Sequence, residues 1–480
     1  MERGLRGLFG GRGGAAGGSA GAGGARRLRD AGAPGWSALE GLAGERRREL
    51  GLPPAPAPPS ARAASALGAE AAPSAKALRR DFGAPGEPRV VLYRDHAAWC
   101  PYCQKVWMLL EEKRVPYRVE KINMRCYGDK PREFLAKVPS GMLPVLELDG
   151  AVLTESDRII STLEAAFPER PMVPPALREE VGPLLRLERE LFSAWMGWLT
   201  SSWDDAGNRR GFEDVLARVA LALQRHPGPH FLPELSLVDL QFAPFLERME
   251  ASLLYYKGYR VRDPKRWPNI VDWFEGMEER PAYVASKGDY YTHAHDLPPQ
   301  LGGCAPNADS APFREAIDGL DGVAWKLPLG PLTESVEPVG GLLAEDPPAD
   351  RLAAAEALIG NHEAVVRFSL RGCGEPGRPA VSAPLSDPAA KPAVGPLPGV
   401  DLALRHVAFH LLSGDGGPVG ELGCGLELLG PAEGTEGADG VPVAASIAYL
   451  RDRIGVPRDL PLPAARQLRA HLHHLHGRLL

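Results

Sequence analysis

Residues 89–113, RVVLYRDHAAWCPYCQKVWMLLEEK, carry the reading that decides the fold. The first five, 89–93, form a short β-rich run, and a loop leads from them to Trp99-Cys100-Pro101. From residue 101 to 113 the apolar side chains Val106, Leu109 and Leu110 recur at helical spacing. Pro101 suits the first helical position, where no intrahelical N–H is needed. A strand that delivers Cys-x-x-Cys to the start of a helix sets Cys100 against unpaired backbone N–H groups and the positive helix end. Both favour a thiolate over a thiol. The thiolate is the reactive species in thiol–disulfide exchange, and Cys103 lies one turn further on, within reach of a mixed disulfide on Cys100. Zinc would need two more ligands, and no second Cys-x-x-Cys or nearby Cys/His pair supplies them, so no metal is expected.

Outward from this stretch, residues 117–122 alternate as a strand and 131–137 read as a short polar helix. Residues 145–148 and 151–153 flank Asp149-Gly150 as a hairpin, and 156–167 are helical with Ile159, Ile160 and Leu163 on one face. The order βαβ then ββα makes a small α/β domain. Helical periodicity then takes over at 176–201, 211–225, 236–256 and 268–279. The third of these opens on Ser236-Leu237-Val238-Asp239, a capping-box arrangement.

Two further motifs carry chemistry. Met142-Leu143-Pro144 stands just before a strand, where a proline cannot enter the ladder, and Leu143-Pro144 is a candidate cis bond; a trans loop proline is the plainer alternative. Thr154-Glu155-Ser156 opens a helix. A hydroxyl and free N–H groups there can hold a carboxylate while Glu155 pairs with an amine, which fits the α-amino-acid end of a small peptide; simple capping uses the same residues.

Cys-Pro-Tyr-Cys, Leu143-Pro144, Glu155-Ser156 and Ser236-x-x-Asp239 together resemble the glutathione S-transferase superfamily with a glutaredoxin-type site, over residues 88–295. The cysteine places the resemblance with the omega, lambda and dehydroascorbate-reductase classes, in the plastid-type form of plants and algae. It implies an α/β + all-α fold: a thioredoxin-like glutathione-binding domain at 87–170, an all-helical domain at 171–297, and a partly disordered helical extension at 298–480 of no assigned role. It implies glutathione as co-substrate, with Cys100 as the nucleophile that forms a mixed disulfide. The Leu143 backbone beside Pro144 would bond the cysteinyl part, Glu155 and Ser156 the γ-glutamyl end, and Lys130 the glycine carboxylate. Single-cysteine sites are the rule in these classes, so Cys103 departs from the pattern and opens a two-cysteine cycle, as an alternative to resolution by free glutathione. The activity implied is glutathione-dependent thiol transfer or reduction, dehydroascorbate included. The partners are then glutathione with small disulfide or oxidised substrates, or glutathionylated proteins. Conjugation to electrophiles, an isomerase, and a non-catalytic redox-sensing or scaffolding role are the alternatives. Either a homodimer or a monomer fits, and an extension docked near the cleft would restrict dimerisation or substrate entry.

Composition bounds the rest. Glycine (55) and proline (48) make up about a fifth of the 480 residues, well above the usual ~12%, and predict long irregular stretches. Residues 1–80 hold 13 Lys+Arg against 6 Asp+Glu, a net +7, which leaves −13 on the remainder. An acidic body argues against nucleic-acid binding. No apolar run is long enough to span a membrane. Six dispersed cysteines make no disulfide framework and point to a reducing compartment. Residues 1–86 read as a disordered leader with the composition of an organelle transit peptide, apart from a helical pattern at 36–50. The expected location is the chloroplast, otherwise the cytoplasm. Cys126, Cys304, Cys373 and Cys424 read as inert thiols, and His471, His473, His474 and His476 as a basic, solvated helix end. Trp195, Trp198 and Trp203 divide evenly between core packing and a substrate pocket; His96 and Trp99 shape the approach to Cys100.

Overall fold

A computed structural model describes residues 26–54, 66–67, 71–338, 341–342, 345–378, 385, 387–413, 426–429 and 438–480. The described chain begins with β1 (Arg27–Asp30) and α1 (Trp36–Glu49). β2 (Ala66–Leu67) and β3 (Arg79–Arg80) come before the Cys-x-x-Cys stretch, which forms β4 (Val90–Asp95) and α2 (Pro101–Lys113). β5 (Tyr117–Ile122), α3 (Arg132–Lys137), the hairpin β6 (Val145–Leu148) and β7 (Ala151–Thr154), and α4 (Ser156–Ala166) follow. The sheet runs β2-β3-β5-β4-β6-β7. β4 lies parallel to β5 and antiparallel to β6, with Leu92 opposite both Val119 and Leu146. A parallel pair needs a crossover, and α2 provides it, packing back on the sheet through Val106, Leu109 and Leu110. This thioredoxin-like sheet explains the near-continuous apolar run of β4: a central strand covered on both faces has no side to leave polar.

The helices α5 (Arg178–Thr200), α6 (Asp205–Leu223), α7 (Leu237–Lys257), α8 (Pro268–Glu278), α9 (Pro281–Ser286), α10 (Tyr290–Leu301) and α11 (Ala311–Ile317) form the second layer. α7 is buried along nearly its whole length and touches α2, α5 and α10. Its capping box forms as the spacing predicts, with the Ser236 N–H donating to Asp239 at 2.9 Å. Asp239 is fully buried and also accepts from the Trp273 indole at 3.0 Å, so the cap ties α7 to α8. Trp195 and Trp198 are core residues, bonded to Ser252 and Asp205, whereas Trp203 is exposed.

A second core lies beyond residue 330. It is built from α12 (Pro347–Gly360), α13 (His362–Ser369), α14 (Leu397–Ser413), α15 (Gly440–Arg451) and α16 (Leu462–Leu479), with β8 (Leu426–Leu429) and β9 (Ala438–Asp439). The segment read as a disordered leader belongs to it. β1 is the middle strand between β8 and β9, and Leu39 and Ala43 of α1 are buried against α12 and α14. Trp36 donates to Asp401 at 2.8 Å and stacks on His362, and Arg47 pairs with Glu356. Residues 71–86 are ordered as well: Arg80 is buried against Glu111, and Ala75 accepts from Arg94 at 2.6 Å. The expected disorder therefore fails over the described part of 1–86: the helical pattern at 36–50 is a helix, and the partners that hold it lie some three hundred residues away, beyond what local composition reports. Residues 1–25 lie outside the described ones.

The histidines of α16 also depart from expectation. α16 packs against α12, α14 and α15, so His471 is buried rather than solvated, and its Nδ1 bonds the Gln467 carbonyl at 2.7 Å. It shares the interior with His406 and His410 of α14, and His474, Arg351 and Arg478 also bear on this group. Burial, aided by these neighbours, holds His406 down to about 3 and His410 and His471 to about 4.

Two predictions follow from this second core. Leu39→Ala empties a fully buried site and is expected to cost about 2–5 kcal/mol, read as a drop in chemical-denaturation midpoint; no change would mean that α1 is not part of the core. The histidines have folded values below the unfolded ~6.5. Their contribution is then complete above that pH and is lost on acidification towards 4, because the unfolded chain takes up the protons first. For His406 and His471 the loss is up to ~1.4 kcal/mol per pH unit each. The midpoint should be lower at pH 5 than at pH 7.5, and equal midpoints would contradict the burial.

Candidate active site

β4 ends on Asp95, and four residues carry the chain to Cys100, which caps α2 in an extended conformation with φ −75° and ψ 117°. The loop is held at both ends. The Asp95 carboxylate accepts from the Trp99 N–H at 2.6 Å, and the Trp99 carbonyl accepts from Arg248 of α7 at 2.7 Å. The same buried guanidinium donates to Gln104 of α2 and to the Pro244 carbonyl, and pairs with Glu247. The helical layer thereby fixes the position of the sulfur-bearing turn.

Cys100 is 8% exposed and Cys103 1%. A hydrogen bond from Cys103 to the Cys100 sulfur, helped by the N–H groups of Cys103 and Tyr102, brings the Cys100 thiol below its ordinary range. Burial and the Asp95 charge oppose this and are outweighed. Cys103 is pushed well above its range, chiefly by burial, then by its bond to Cys100. The two sulfurs are therefore unequal, one biased towards the thiolate and the other towards the thiol. Lys105, buried on α2 above the rings of Tyr102 and Phe245, is brought down to about 8 by burial, and its charge reaches Cys100.

The other residues singled out from the sequence lie on neighbouring elements of the same domain. The Leu143-Pro144 bond is cis, at the entrance to β6 beside β4. Glu155 is exposed and caps α4 with φ +67°, a backbone region that non-glycine residues rarely hold, and Ser156 behind it is buried. Lys130 is half-buried; its amine donates to the Asn123 carbonyl at 2.5 Å and feels both cysteine sulfurs. Gly141, at φ +65°, packs on its stem: a Cβ there would lie 3.3 Å from Lys130 Cδ. Cys126 and Cys304 are raised by burial to about 11 and about 12, in keeping with inert thiols, and Cys373 is half-buried. Cys424 lies outside the described residues.

Four features have no counterpart in the sequence reading: Asp95, Lys105, Arg248 and the segment Gly455–Arg458. An acid at the end of an apolar run and an arginine in a patterned helix both read as solvent-facing, so periodicity gives no signal for them. The last is tertiary. The Trp99 indole donates to the Val456 carbonyl at 3.0 Å, Arg458 lies over its ring at 4.7 Å, and a Cβ on Gly455 would stand 2.4 Å from it. The C-terminal extension thus reaches the residue next to Cys100.

Residues 99–166 match the family described as glutathione S-transferase, N-terminal domain. "Glutathione S-transferase DHAR2" of Arabidopsis thaliana is 32% identical over 189 residues, 39% of this chain and 84% of that protein. "Glutathione S-transferase DHAR3, chloroplastic" of the same plant is 31% identical over 194 residues, 40% of this chain and 69% of that protein. Among solved structures, glutathione transferase Omega 3C from Trametes versicolor aligns at 26% identity with a TM-score of 0.38, covering 43% of this chain and 88% of that one.

Cys103→Ala removes the hydrogen bond that lowers Cys100 most. The pH midpoint for alkylation of Cys100, followed by mass spectrometry, is expected to rise; each unit of rise reduces the thiolate about tenfold below the midpoint. An unchanged or lower midpoint would show that the pair is not coupled in this way.

Proposed function

The chain belongs to the glutathione S-transferase family, and from that premise we propose that it is a glutathione-dependent thiol transferase and reductase acting through a mixed disulfide on Cys100. The observation that carries the reading is the unequal sulfur pair at the first turn of α2. The Cys100 thiolate attacks a sulfur of a glutathione mixed disulfide. One S–S bond breaks, one forms on Cys100, and the substrate leaves as a thiolate that takes a proton from water. A second thiol then attacks the Cys100–glutathione bond, restores the Cys100 thiolate and carries glutathione away as a disulfide. Small oxidised substrates such as dehydroascorbate draw on the same two reducing equivalents.

Glutathione is held by the residues around the turn. The N-terminus of α4, with the Ser156 hydroxyl and its backbone N–H groups, takes the γ-glutamyl carboxylate. Glu155 pairs with the neighbouring amine, and its positive φ supports this role, since a strained backbone persists at functional sites where the surrounding structure maintains it. The Leu143 backbone, next to Pro144, bonds the cysteinyl part in strand-like fashion. Lys130 faces the glycine carboxylate with a charge that Gly141 and Asn123 help to position. Catalysis in a plastid is supported by the chloroplastic relative. A leader removed on import would have to end before Arg27, because β1 is the central strand of its sheet.

The test is glutathione-dependent reduction of a small mixed disulfide by the full-length chain. Cys100→Ser is expected to fall to the uncatalysed rate. Glu155→Ala is expected to raise the KM for glutathione about 10–100-fold, the loss of one charge-assisted bond, with a smaller effect on kcat. Turnover that survives Cys100→Ser would overturn the reading in favour of conjugation chemistry.

A further inference from the structure

Asp95 is fully buried, and among the described residues only one of its oxygens has a partner: Oδ2 accepts from the Trp99 N–H, whereas Oδ1 makes no hydrogen bond with them. A carboxylate oxygen of Asp95 and the sulfurs of Cys100 and Cys103 all lie within 4.8 Å of one another. Among the described residues no other carboxylate or imidazole joins the two sulfurs at that distance. A buried acceptor without a donor costs about 1–3 kcal/mol, so an unpaired oxygen at a reaction centre calls for a reason. Holding the loop needs only Oδ2.

The effect on the first step deepens the question. The Asp95 charge raises Cys100 and thereby opposes formation of the attacking thiolate. Its benefit must therefore fall in another step. Cys103 is 1% exposed, so solvent cannot readily take its proton, and its thiol is pushed well above the ordinary range. Once Cys100 is bound in a disulfide, the negative sulfur that accepted the Cys103 hydrogen bond has gone, and among the described residues Asp95 is the carboxylate beside the two sulfurs.

We propose that Asp95 is the general base for Cys103, so that the enzyme resolves its own mixed disulfide by an internal dithiol step. This rests on the reading of Cys100 as the nucleophile. The Cys103 S–H bond breaks and its proton passes to the Asp95 carboxylate, an oxygen of which lies within 4.8 Å of the sulfur. The Cys103 sulfur attacks Cys100, the Cys100–Cys103 bond forms, and the bond from Cys100 to the substrate sulfur breaks. The substrate leaves as a thiolate and recovers the proton, directly or through water. The dithiol is oxidised by two electrons and the substrate reduced by two; glutathione regenerates the dithiol afterwards. The groups within electrostatic range of Asp95 include His96, Lys121, Lys130, Tyr127 and Asp296, and the Arg94 guanidinium donates to the Asp95 carbonyl at 2.8 Å.

A chromogenic aromatic disulfide, mixed once with excess full-length enzyme, separates the two steps. Attack by Cys100 releases the first coloured thiolate and closure by Cys103 the second, with Cys100→Ser giving the signal of the remaining cysteines. Wild type is expected to show both phases, and Cys103→Ser only the first. Asp95→Asn keeps an acceptor for the Trp99 N–H; its first phase should be as fast or faster, because an opposing charge is gone. Its second phase should slow by roughly 10²-fold, within the range of general-base catalysis, and should climb about tenfold per pH unit. In wild type the second phase should be nearly flat between pH 6 and 8, a measurement that needs no variant to fold. A wild-type second phase that rises tenfold per unit, or an Asp95→Asn second phase at the wild-type rate, would overturn the proposal. Absence of the first phase in wild type would overturn the reading of Cys100 itself.

Discussion

A partly negative sulfur buried beneath the first turn of a helix must be stabilised by something other than water. At Cys100 that role falls to one side-chain donor, the Cys103 thiol, and two backbone N–H groups. Such bonds are useful only if the turn cannot move, and much of the surrounding structure serves that end. The sheet places Asp95 at the root of the loop, α7 brings Arg248 to the Trp99 carbonyl, and Gln104 joins α2 to the same guanidinium. Arg248 needs its partners in turn, since removing one from a buried pair leaves an uncompensated charge at a cost of about 3–5 kcal/mol. The helical layer is thus more than a cover for the sheet; it fixes the geometry on which the proposed thiol chemistry depends.

Much of this could be read from the sequence, for a definite reason. Residues 89–113 encode a local strand–turn–helix unit, and the chemistry of Cys-x-x-Cys at a helix start follows from backbone dipoles present wherever that unit forms. The hairpin around Asp149-Gly150 and the cap of α7 are equally local. What could not be read was non-local. α1 has a helical pattern, yet its value lies in Leu39 and Ala43 closing a core with α12 and α14, which nothing in the composition of the leader around it reports. The four histidines of α16 stand at a helix end that favours positive side chains, which reads as solvated, and the packing of α14 puts His471 in the interior. Asp95 and Arg248 had polar identities that a pattern reader assigns to solvent. Burial gives each its role, and periodicity does not report burial of a lone charge.

The C-terminal extension changes how the site is viewed. Its core is built with β1 and α1 from the other end of the chain, so it is a folded body rather than a tail. It grips the first body through paired polar groups: Arg469 with Asp289, the Tyr291 hydroxyl with the Asp452 carbonyl, and Thr292 with the Val456 N–H. The contact that matters most for chemistry is at Trp99, where Gly455 leaves room for the indole and the Val456 carbonyl satisfies its N–H. Trp99 is therefore packed by residues more than three hundred positions away, and the loop that carries Cys100 depends on both bodies.

The central claim is that Cys100 is the sulfur that exchanges with glutathione. The direct measurement is peptide mapping of the full-length protein after brief exposure to glutathione disulfide, without reduction. The account predicts that glutathione is found on Cys100, or that Cys100 is found joined to Cys103, while Cys126 and Cys304 stay unmodified at neutral pH. Glutathione on Cys126 or Cys304 with Cys100 still free would contradict it.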